Sequence, residues 1–380
     1  MAQAPSLTLS ILTLALALPA SQAAAQDDQQ DQAHPSIKLE MSGEPPAGVF
    51  SIGAGFDHHE QFIASAGLSH GRLFGAEGLS LALDASLSAM ASRVDLNLGA
   101  APDLIDPLFF ELNAHSHDLL LSPDHPLSAL RNGTLARVGL KLDRNTSISL
   151  GHRFDLDQVD DGGQALVGGP DFVRRDSAMT TSALSVRLDY LSNPDDEGPM
   201  LDGLRLSAQI ERTFEGLGSD SRFTRFEASA ALGVPLSFGF HLQLNGRAGA
   251  IRAPSGADVP LLDRFKLGVA HGFGGDLLAP TGPTLDPGGA NIPLGGTEAA
   301  VGNATLTIPL FPDVGLSLFG GVEAGAVRDP LDGVGTDFNT SAFGGLRWLS
   351  PIGQLSFGFS APIEGDMFQK EPAFYFMLGL

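Results

Sequence analysis

The chain of 380 residues is acidic, with 22 Lys and Arg against 44 Asp and Glu and a formal net charge of −22. This balance argues against a nucleic-acid partner, because a phosphate backbone attracts clustered Lys and Arg. The chain contains no Cys, so a disulfide framework is excluded and the fold must be held by a core or by a closed sheet.

The N-terminus has the pattern of an export signal. An apolar stretch from Leu7 to Leu18 is followed by Pro19 and by small residues that end at Ala25. This order predicts a secretory signal peptide over residues 1–25, although no Lys or Arg precedes the apolar run; the alternative is a retained N-terminal helix. Beyond this region no stretch reaches the roughly 18 consecutive apolar residues of a membrane helix. We therefore expect an exported protein that is either soluble or built into a membrane as strands.

Apolar and polar residues alternate along the chain from residue 48 onward, as in "LSLALDASLSA" and "TSALSVRLDY". A period of two is typical of a strand with one apolar and one polar face. Roughly sixteen such runs are separated by turns, and this number suits the even-numbered barrels of outer membranes. The sequence therefore predicts an all-β fold, a 16-stranded antiparallel transmembrane β-barrel over residues 48–380. A soluble two-sheet sandwich also alternates, but it seldom needs so many strands.

A tight rim turn is expected within "FGGLRWLSPIGQLSFGF", where two strand-like runs meet. Proline has no N–H and stops the ladder, and glycine permits the reversal. The residues of this turn are Arg347, Trp348, Ser350, Pro351 and Gly353.

This hairpin resembles a rim turn of the BamA/TamA superfamily of outer-membrane assembly barrels, also called the bacterial surface antigen family. Residues 48–83, "GGTEAAVGNATLTIPLF" and the closing "PAFYFMLGL" also fit that family, so the resemblance covers about residues 48–380. It implies antiparallel strands of which the first and last can part toward lipid. It also implies a loop that folds into the barrel between the eleventh and twelfth strands.

The inward loop of the family usually carries Val-Arg-Gly-Phe or Val-Arg-Gly-Tyr, and its Arg pairs with acids on the inner wall. The corresponding stretch "RFKLGVAHGFGG" has His271, Gly272 and Phe273, so the Arg is missing. The two wall positions fall at Thr307 and Glu323. We expect His271 to contact Glu323 as a weaker, pH-dependent loop anchor, since a neutral His lacks the guanidinium fork. The alternative, that His271 is only a polar loop residue, stays open.

The resemblance also leads to an expectation for each end of the mature chain. The family places polypeptide-transport-associated (POTRA) domains before the barrel, whereas residues 26–47 are too few for one. We expect a short periplasmic N-terminal segment there and a barrel that lacks POTRA domains. At the other end the last strand alternates as a C-terminal assembly signal, at Phe374, Phe376, Leu378 and Leu380.

Residues that could carry chemistry form no convincing site. His115 and His117 share a strand face and could bind a metal, but they continue the polar face of Glu111 and Asn113. We expect them to line a wet lumen. The sequence has no Gly-x-Ser-x-Gly elbow, which would mark a hydrolase nucleophile. We predict no enzymatic activity, no metal site and no cofactor.

The sequence thus predicts an outer-membrane barrel that acts in membrane-protein or lipid assembly. Its expected partners are outer-membrane lipids, unfolded outer-membrane protein clients and a separate periplasmic protein. The alternatives are a diffusion channel for small solutes and a structural surface-antigen barrel. A channel requires an open lumen, whereas an assembly barrel requires a closed lumen and a short seam between residues 48–57 and 373–380.

Overall fold

A computed structural model gives the fold of the protein. It describes residues 48–57, 61–71, 79–101, 107–121, 127–160, 178–193, 202–254, 259–268, 284–285, 292–329, 334–350, 353–364 and 373–379. The predicted signal peptide and the segment 26–47 lie outside the described residues.

The described chain consists almost entirely of strands. They are β1 (Gly48–Asp57), β2 (Gln61–His70), β3 (Leu79–Ser88), β4 (Ala91–Ala101), β5 (Leu108–Leu120), β6 (Ser128–Lys141), β7 (Thr146–Asp160), β8 (Ala178–Leu191), β9 (Gly203–Thr213), β10 (Thr224–Pro235), β11 (His241–Arg252), β12 (Thr284–Leu285), β13 (Ile292–Pro293), β14 (Glu298–Phe311), β15 (Leu316–Asp329), β16 (Val334–Ser350), β17 (Gly353–Glu364) and β18 (Ala373–Gly379). Short 3-10 turns occur at Glu215–Leu217, Ser237–Gly239 and Pro312–Val314.

The strands close into one antiparallel barrel. Successive strands pair from β1 to β11, β11 pairs directly with β14, pairing continues to β18, and β18 returns to β1. Strands β12 and β13 form a separate two-stranded sheet. The predicted all-β antiparallel barrel is confirmed. Among the residues that the structure describes, no helix is long and apolar enough to cross a membrane.

The wall has an apolar outer face. On β8, Leu184, Val186 and Leu188 are 38%, 44% and 46% exposed. Ala183 and Ser185, whose side chains point to the opposite face, are buried. The other barrel strands expose apolar side chains in the same alternating way, which is typical of a wall in contact with lipid. Phe supplies most of the outer aromatic surface, at Phe50, Phe56, Phe62, Phe226, Phe357, Phe359 and Phe374.

The barrel has two rims, which we define by β1. The first rim is where β1 begins and includes the turn 142–145 and the Pro312–Val314 turn; the second rim is where β1 ends. The connection from β11 to β14 starts at the second rim, since β11 ends there. Among the described residues, this connection supplies five of the twelve residues in the two buried apolar clusters, Val259, Leu261, Phe265, Leu267 and Leu294.

The tolerance of the wall for an added methyl group should differ between two glycines. A Cβ at Gly345 would lie 2.0 Å from the backbone oxygen of Phe357, whereas a Cβ at Gly246 would have its nearest neighbour at 3.9 Å. Gly345→Ala should lower the free energy of unfolding by about 1–3 kcal/mol through overpacking. Gly246→Ala, the matched control, should leave it nearly unchanged. Urea unfolding followed by the fluorescence of Trp348, the only Trp, measures both; equal stabilities would contradict the expectation.

Candidate functional site in the barrel lumen

A segment of the β11–β14 connection lies inside the barrel. We call residues 259–268 the lumen segment. Its residues Val259, Leu261, Asp263, Phe265 and Leu267 are each at most 2% exposed. Apolar and charged side chains alternate along it, so it presents both kinds of group to the surrounding wall.

The apolar side chains of the lumen segment pack on two distant parts of the wall. Phe265 and Leu267 join a buried cluster with Ile251 of β11 and Val327 of β15. Leu261 joins a second cluster, formed on the wall by Leu127, Ala129 and Val159 next to and within β6 and β7. Because β6 and β15 lie far apart around the wall, the segment crosses the lumen near the second rim.

Asp263 lies at the centre of the crossing and is fully buried. Its Oδ1 is 2.9 Å from Nη1 of Arg153 and 3.3 Å from Nη2 of Arg131. The hydroxyl of Thr181 donates to Oδ2 at 3.3 Å. An acidic residue of the lumen segment is therefore held by two arginines of the wall.

The wall holds these two arginines in place with its own acids. Arg131 donates Nε and Nη2 to the two carboxylate oxygens of Asp157, at 2.7 and 2.6 Å. Arg153 donates to Asp155 at 2.5 Å and to both oxygens of Glu211, at 3.2 and 2.7 Å. Paired guanidinium–carboxylate bonds of this kind fix both distance and orientation. We call Asp263 and these five wall residues the Asp263 network.

Further contacts hold the backbone of the lumen segment. Arg225 of β10 donates to the carbonyl of Asp263 at 3.0 Å, and its guanidinium lies 4.6 Å from the centre of the Phe265 ring. Phe265 and Gly296 exchange two backbone hydrogen bonds of 2.8 Å. The Phe265 ring covers Gly249, where a Cβ would lie 2.4 Å from it. A residue larger than Gly at position 249 would displace the ring.

This environment shifts the pKa of two charged groups of the lumen segment, Asp263 and Lys266. Burial alone would raise the pKa of Asp263, but the positive charges of Arg153 and Arg131 outweigh burial and hold the pKa below its ordinary value. Burial lowers the pKa of Lys266 to about 7, and the charges of Arg131 and Arg264 act in the same direction. The ammonium of Lys266 donates to the carbonyl of Leu261 at 2.6 Å. The segment thus contains an acid whose pKa is lowered, so that its ionised form is favoured, and a base whose pKa is lowered to about 7.

The structure describes the expected wall partners of the predicted loop motif but not the motif itself. His271, Gly272 and Phe273 lie outside the described residues, so the expected contact of His271 with Glu323 stays a prediction. Glu323 and Thr307 are both buried, at 5% and 6% exposure, and both belong to the inner face of the wall. Glu323 has the amide of Asn303 at 3.5 Å, and Thr307 is the register partner of Phe319 and His241.

The remaining predicted residues lie at the first rim and at the seam. Trp348 donates its indole N–H to the carbonyl of Val314 at 2.9 Å, and Arg347 lies 5.4 Å from the centre of the Phe319 ring. The β16–β17 ladder extends to Ser350 and Gly353; Pro351 and Leu380 lie outside the described residues. Phe374 is 68% exposed, the ring of Phe376 lies 4.8 Å from that of Phe357, and Leu378 pairs with Ala54 and Leu355.

Each of the two histidines considered for a metal lies close to a carboxylate of the wall. His115 is 3.2 Å from Asp155, and His117 is 3.2 Å from Asp95. Within the described ranges no three or more His, Asp or Glu residues are grouped to hold a metal ion.

Sequence reasoning missed Asp263, Arg131 and Arg153. A signal was present in β7, because Arg153, Asp155 and Asp157 recur at every second residue and so share the inner face. A second signal was the charged pair Asp263-Arg264 before Phe265, which precedes His271 by eight and seven residues in the same connection.

A closed antiparallel barrel with an apolar outer wall and a segment folded into its lumen defines a barrel of the outer-membrane type. The chain belongs to the Omp85 superfamily, whose domain matches residues 75–380. No curated protein matches the sequence.

Solved structures with a similar fold include two kinds of protein. BamA from Haemophilus ducreyi lacking POTRA domains 1–3 has a TM-score of 0.66 at 19% identity, over 87% of this chain and 70% of that one. CdiB from Escherichia coli has a TM-score of 0.64 at 12% identity, over 89% of this chain and 64% of that one. CdiB from Acinetobacter baumannii has a TM-score of 0.57 at 13% identity, over 88% of this chain and 60% of that one. At these identities the likeness shows the fold alone, and the chain spans less than two thirds of either CdiB.

Removing the charge of Asp263 should release the lumen segment. Asp263→Asn leaves Arg131 and Arg153 without the central carboxylate, and breaking a buried ion pair costs about 3–5 kcal/mol. In a Leu261→Cys background, which supplies the only thiol of the chain, labelling by a hydrophilic maleimide should become at least about tenfold faster.

The matched control for this experiment is Glu298→Gln. Glu298 bridges Arg252 and Arg328, which are 57% and 55% exposed, and exposed ion pairs contribute little to stability. Labelling of Leu261→Cys should not change in this background. An equal labelling rate with and without Asp263→Asn would mean that the carboxylate does not hold the segment.

The depressed pKa of Lys266 predicts a pH dependence of stability. Between about pH 7 and pH 10 the unfolded chain binds this proton and the folded chain does not, so the free energy of unfolding should rise with pH. The rise is at most about 1.4 kcal/mol per pH unit. Lys266→Met should abolish this part of the slope, whereas the exposed Lys141→Met should retain it. Urea unfolding at several pH values measures the slope, and an unchanged slope in Lys266→Met would contradict the assignment.

Proposed function

We propose that the protein acts in outer-membrane protein or lipid assembly through the seam between β1 and β18, with a lumen that is closed near the second rim. The observation that carries the proposal is the length of the seam. Among the described residues, the β1–β18 ladder runs from Gly53–Gly379 to Phe56–Phe376. On its other side β1 pairs with β2 along its whole length, from Gly48 to Asp57.

The short seam makes β1 and β18 the easiest neighbours to separate. Each ladder position that is lost gives up backbone hydrogen bonds, worth about 0.5–1.5 kcal/mol each in net terms. β18 pairs with β17 from Ala373 to Gly379, so it would leave β1 before it leaves β17. Parting at this point exposes two strand edges, to which an incoming strand can add.

The lumen segment supports the proposal against a diffusion channel. A buried ionic network and two apolar clusters hold it across the barrel, so ions and solutes meet a packed obstruction near the second rim. The fold similarity to BamA and the family membership of the chain are consistent with assembly or translocation. As in barrels of this superfamily generally, the proposed role is not catalytic.

The proposed location is the outer membrane, reached by export through the signal peptide at residues 1–25. We place the first rim on the periplasmic side, because β1 begins there after residues 26–47. In this orientation the lumen segment closes the barrel on the outer side. The proposed partners are outer-membrane lipids, unfolded outer-membrane proteins and a separate periplasmic protein that delivers them.

A pair of engineered disulfides tests the use of the seam. Ala54 and Leu378 are register partners across the seam, and Ala54 and Ala64 are register partners within the β1–β2 ladder. Directly opposed antiparallel residues have Cα atoms about 4.5–5.5 Å apart, a separation that a disulfide can bridge. The seam variant is Ala54→Cys with Leu378→Cys, and the control is Ala54→Cys with Ala64→Cys.

Each variant is reconstituted in liposomes and mixed with a small urea-unfolded outer-membrane barrel protein, whose folding is followed by the gel shift of the folded form. The reduced seam variant should accelerate folding severalfold over empty liposomes. Oxidation should remove the acceleration for the seam variant and preserve it for the control. Equal acceleration by the oxidised and reduced seam variant would overturn the proposal, and steady ionic current through a planar bilayer without any acceleration would favour a diffusion channel.

A further inference from the structure

A second feature of the lumen lies at the first rim, on the inner side of β5 to β9. It is a cavity of about 310 Å³ that is lined by the turn 142–145 and by the inner faces of these strands. The lumen segment lies toward the other rim, so the cavity and the Asp263 network are separate places. The volume is near the lower end of the range for small-molecule sites, and it suits a headgroup or a small anion.

The cavity is cationic in a strongly acidic chain. Its lining residues include three carboxylates, Glu111, Asp143 and Asp189. They also include five cations, Arg137, Lys141, Arg144, Arg187 and Arg205. Five positive and three negative charges leave a surplus of two positive charges, whereas the whole chain has a net charge of −22.

The three carboxylates already have hydrogen-bond donors. Nη1 of Arg137 donates to Glu111 at 2.6 Å, and Nε of Arg187 donates to Asp189 at 2.9 Å. The backbone amides of Asn145 and Thr146 donate to Asp143 at 2.7 and 2.8 Å. The amide of Asn145 is the main reason why the pKa of Asp143 lies below its ordinary value. Asp143 is therefore ionised at neutral pH, and the positive surplus remains after the acids are counted.

A buried hydroxyl provides an independent sign of a ligand. Ser149 of β7 lines the cavity and is 4% exposed, and among the described residues its Oγ has no hydrogen-bond partner. A buried hydroxyl without a partner costs about 1–3 kcal/mol. Its register partners are Gly139 on β6 and Arg187 on β8, so it lies between a glycine that has no side chain and a residue that carries a guanidinium.

One wall of the cavity is apolar and fixed in shape. The ring of Phe109 lies over Gly139, where a Cβ would be 2.0 Å from the ring. A side chain at position 139 would displace the ring, so Gly139 permits the close approach. The cavity thus combines an aromatic wall, a buried hydroxyl donor and several guanidinium groups.

We infer that this cavity binds a phosphate-bearing anion. A phosphate monoester carries about −1.5 to −2 charges at pH 7, which matches the surplus of two positive charges. Guanidinium forks bind phosphate oxygens in pairs, and the Ser149 hydroxyl supplies one more donor. The phosphate can belong to a free ion or to the headgroup of an acidic phospholipid that enters at the first rim. The inference does not depend on the use of the seam.

Calorimetric titration of the full barrel in maltoside detergent tests the site. The probes are inorganic phosphate, dihexanoyl phosphatidic acid, and dihexanoyl phosphatidylcholine as a zwitterionic control, all at constant ionic strength. Arg205→Gln should weaken binding of the anionic probes at least tenfold, and Ser149→Ala should weaken it severalfold. Arg222→Gln carries the same charge change at an arginine that is 64% exposed and paired with Glu215, and it should bind like the unchanged chain.

The same experiment distinguishes the two sources of the phosphate group, a free ion and a phospholipid headgroup. Phosphatidic acid binding at least tenfold more tightly than inorganic phosphate, with dependence on Arg205, would identify a lipid headgroup as the ligand. Equal affinities with the same dependence would identify free phosphate. Absence of binding by both anions would overturn the inference, and so would an equal weakening by Arg205→Gln and Arg222→Gln. Fluorescence of Trp348 during urea unfolding verifies that each variant is folded.

Discussion

The ion pairs of Asp263 with Arg131 and Arg153 hold the lumen segment across the barrel. A charge taken out of water costs several kcal/mol unless it is paired and hydrogen-bonded. The wall meets this requirement because Asp155, Asp157 and Glu211 accept hydrogen bonds from the two arginines and so fix their orientation. The apolar clusters around Phe265 and Leu261 add contacts that do not depend on charge. The segment is thus fixed by electrostatics at its centre and by packing at its ends.

The sign of this contact is the reverse of what the family resemblance implies. The resemblance places an arginine on the loop and acids on the wall, whereas at this contact the loop supplies Asp263 and the wall supplies the arginines. The lumen segment also has a pair of the family's sign, because Nη2 of Arg264 lies 2.6 Å from Oδ2 of Asp329 on β15. Coulomb attraction is unchanged when both signs are exchanged. A guanidinium on the wall can also be oriented in advance by neighbouring acids of the same sheet. The described contacts therefore hold the segment without the arginine that the family resemblance implies at position 271, where this chain has His.

The barrel was predictable from the sequence because alternation is a local property. Leu184, Val186 and Leu188 show the outer face of β8 within five residues. The Asp263 network was not predictable in this way, because Arg131 and Asp263 are 132 residues apart. Their contact depends on the path of the segment across the lumen. The hydrogen bond from Trp348, near the end of β16, to Val314 in the neighbouring rim turn joins residues 34 positions apart, and local alternation does not predict it either.

None of the contacts described for the lumen segment involves β1 or β18, the two strands of the seam. The segment bonds to or packs against β6, β7, β8, β10, β11, β14 and β15, whereas β1 and β18 lie on the remaining arc of the wall. The cavity at the first rim is separate from the Asp263 network as well, since Ser149 and Arg153 on β7 are four residues apart, about 14 Å at about 3.4 Å per residue. Separation of β1 from β18 therefore breaks none of the contacts described for the segment. The opening of the seam that we propose is therefore compatible with a lumen segment that keeps its contacts.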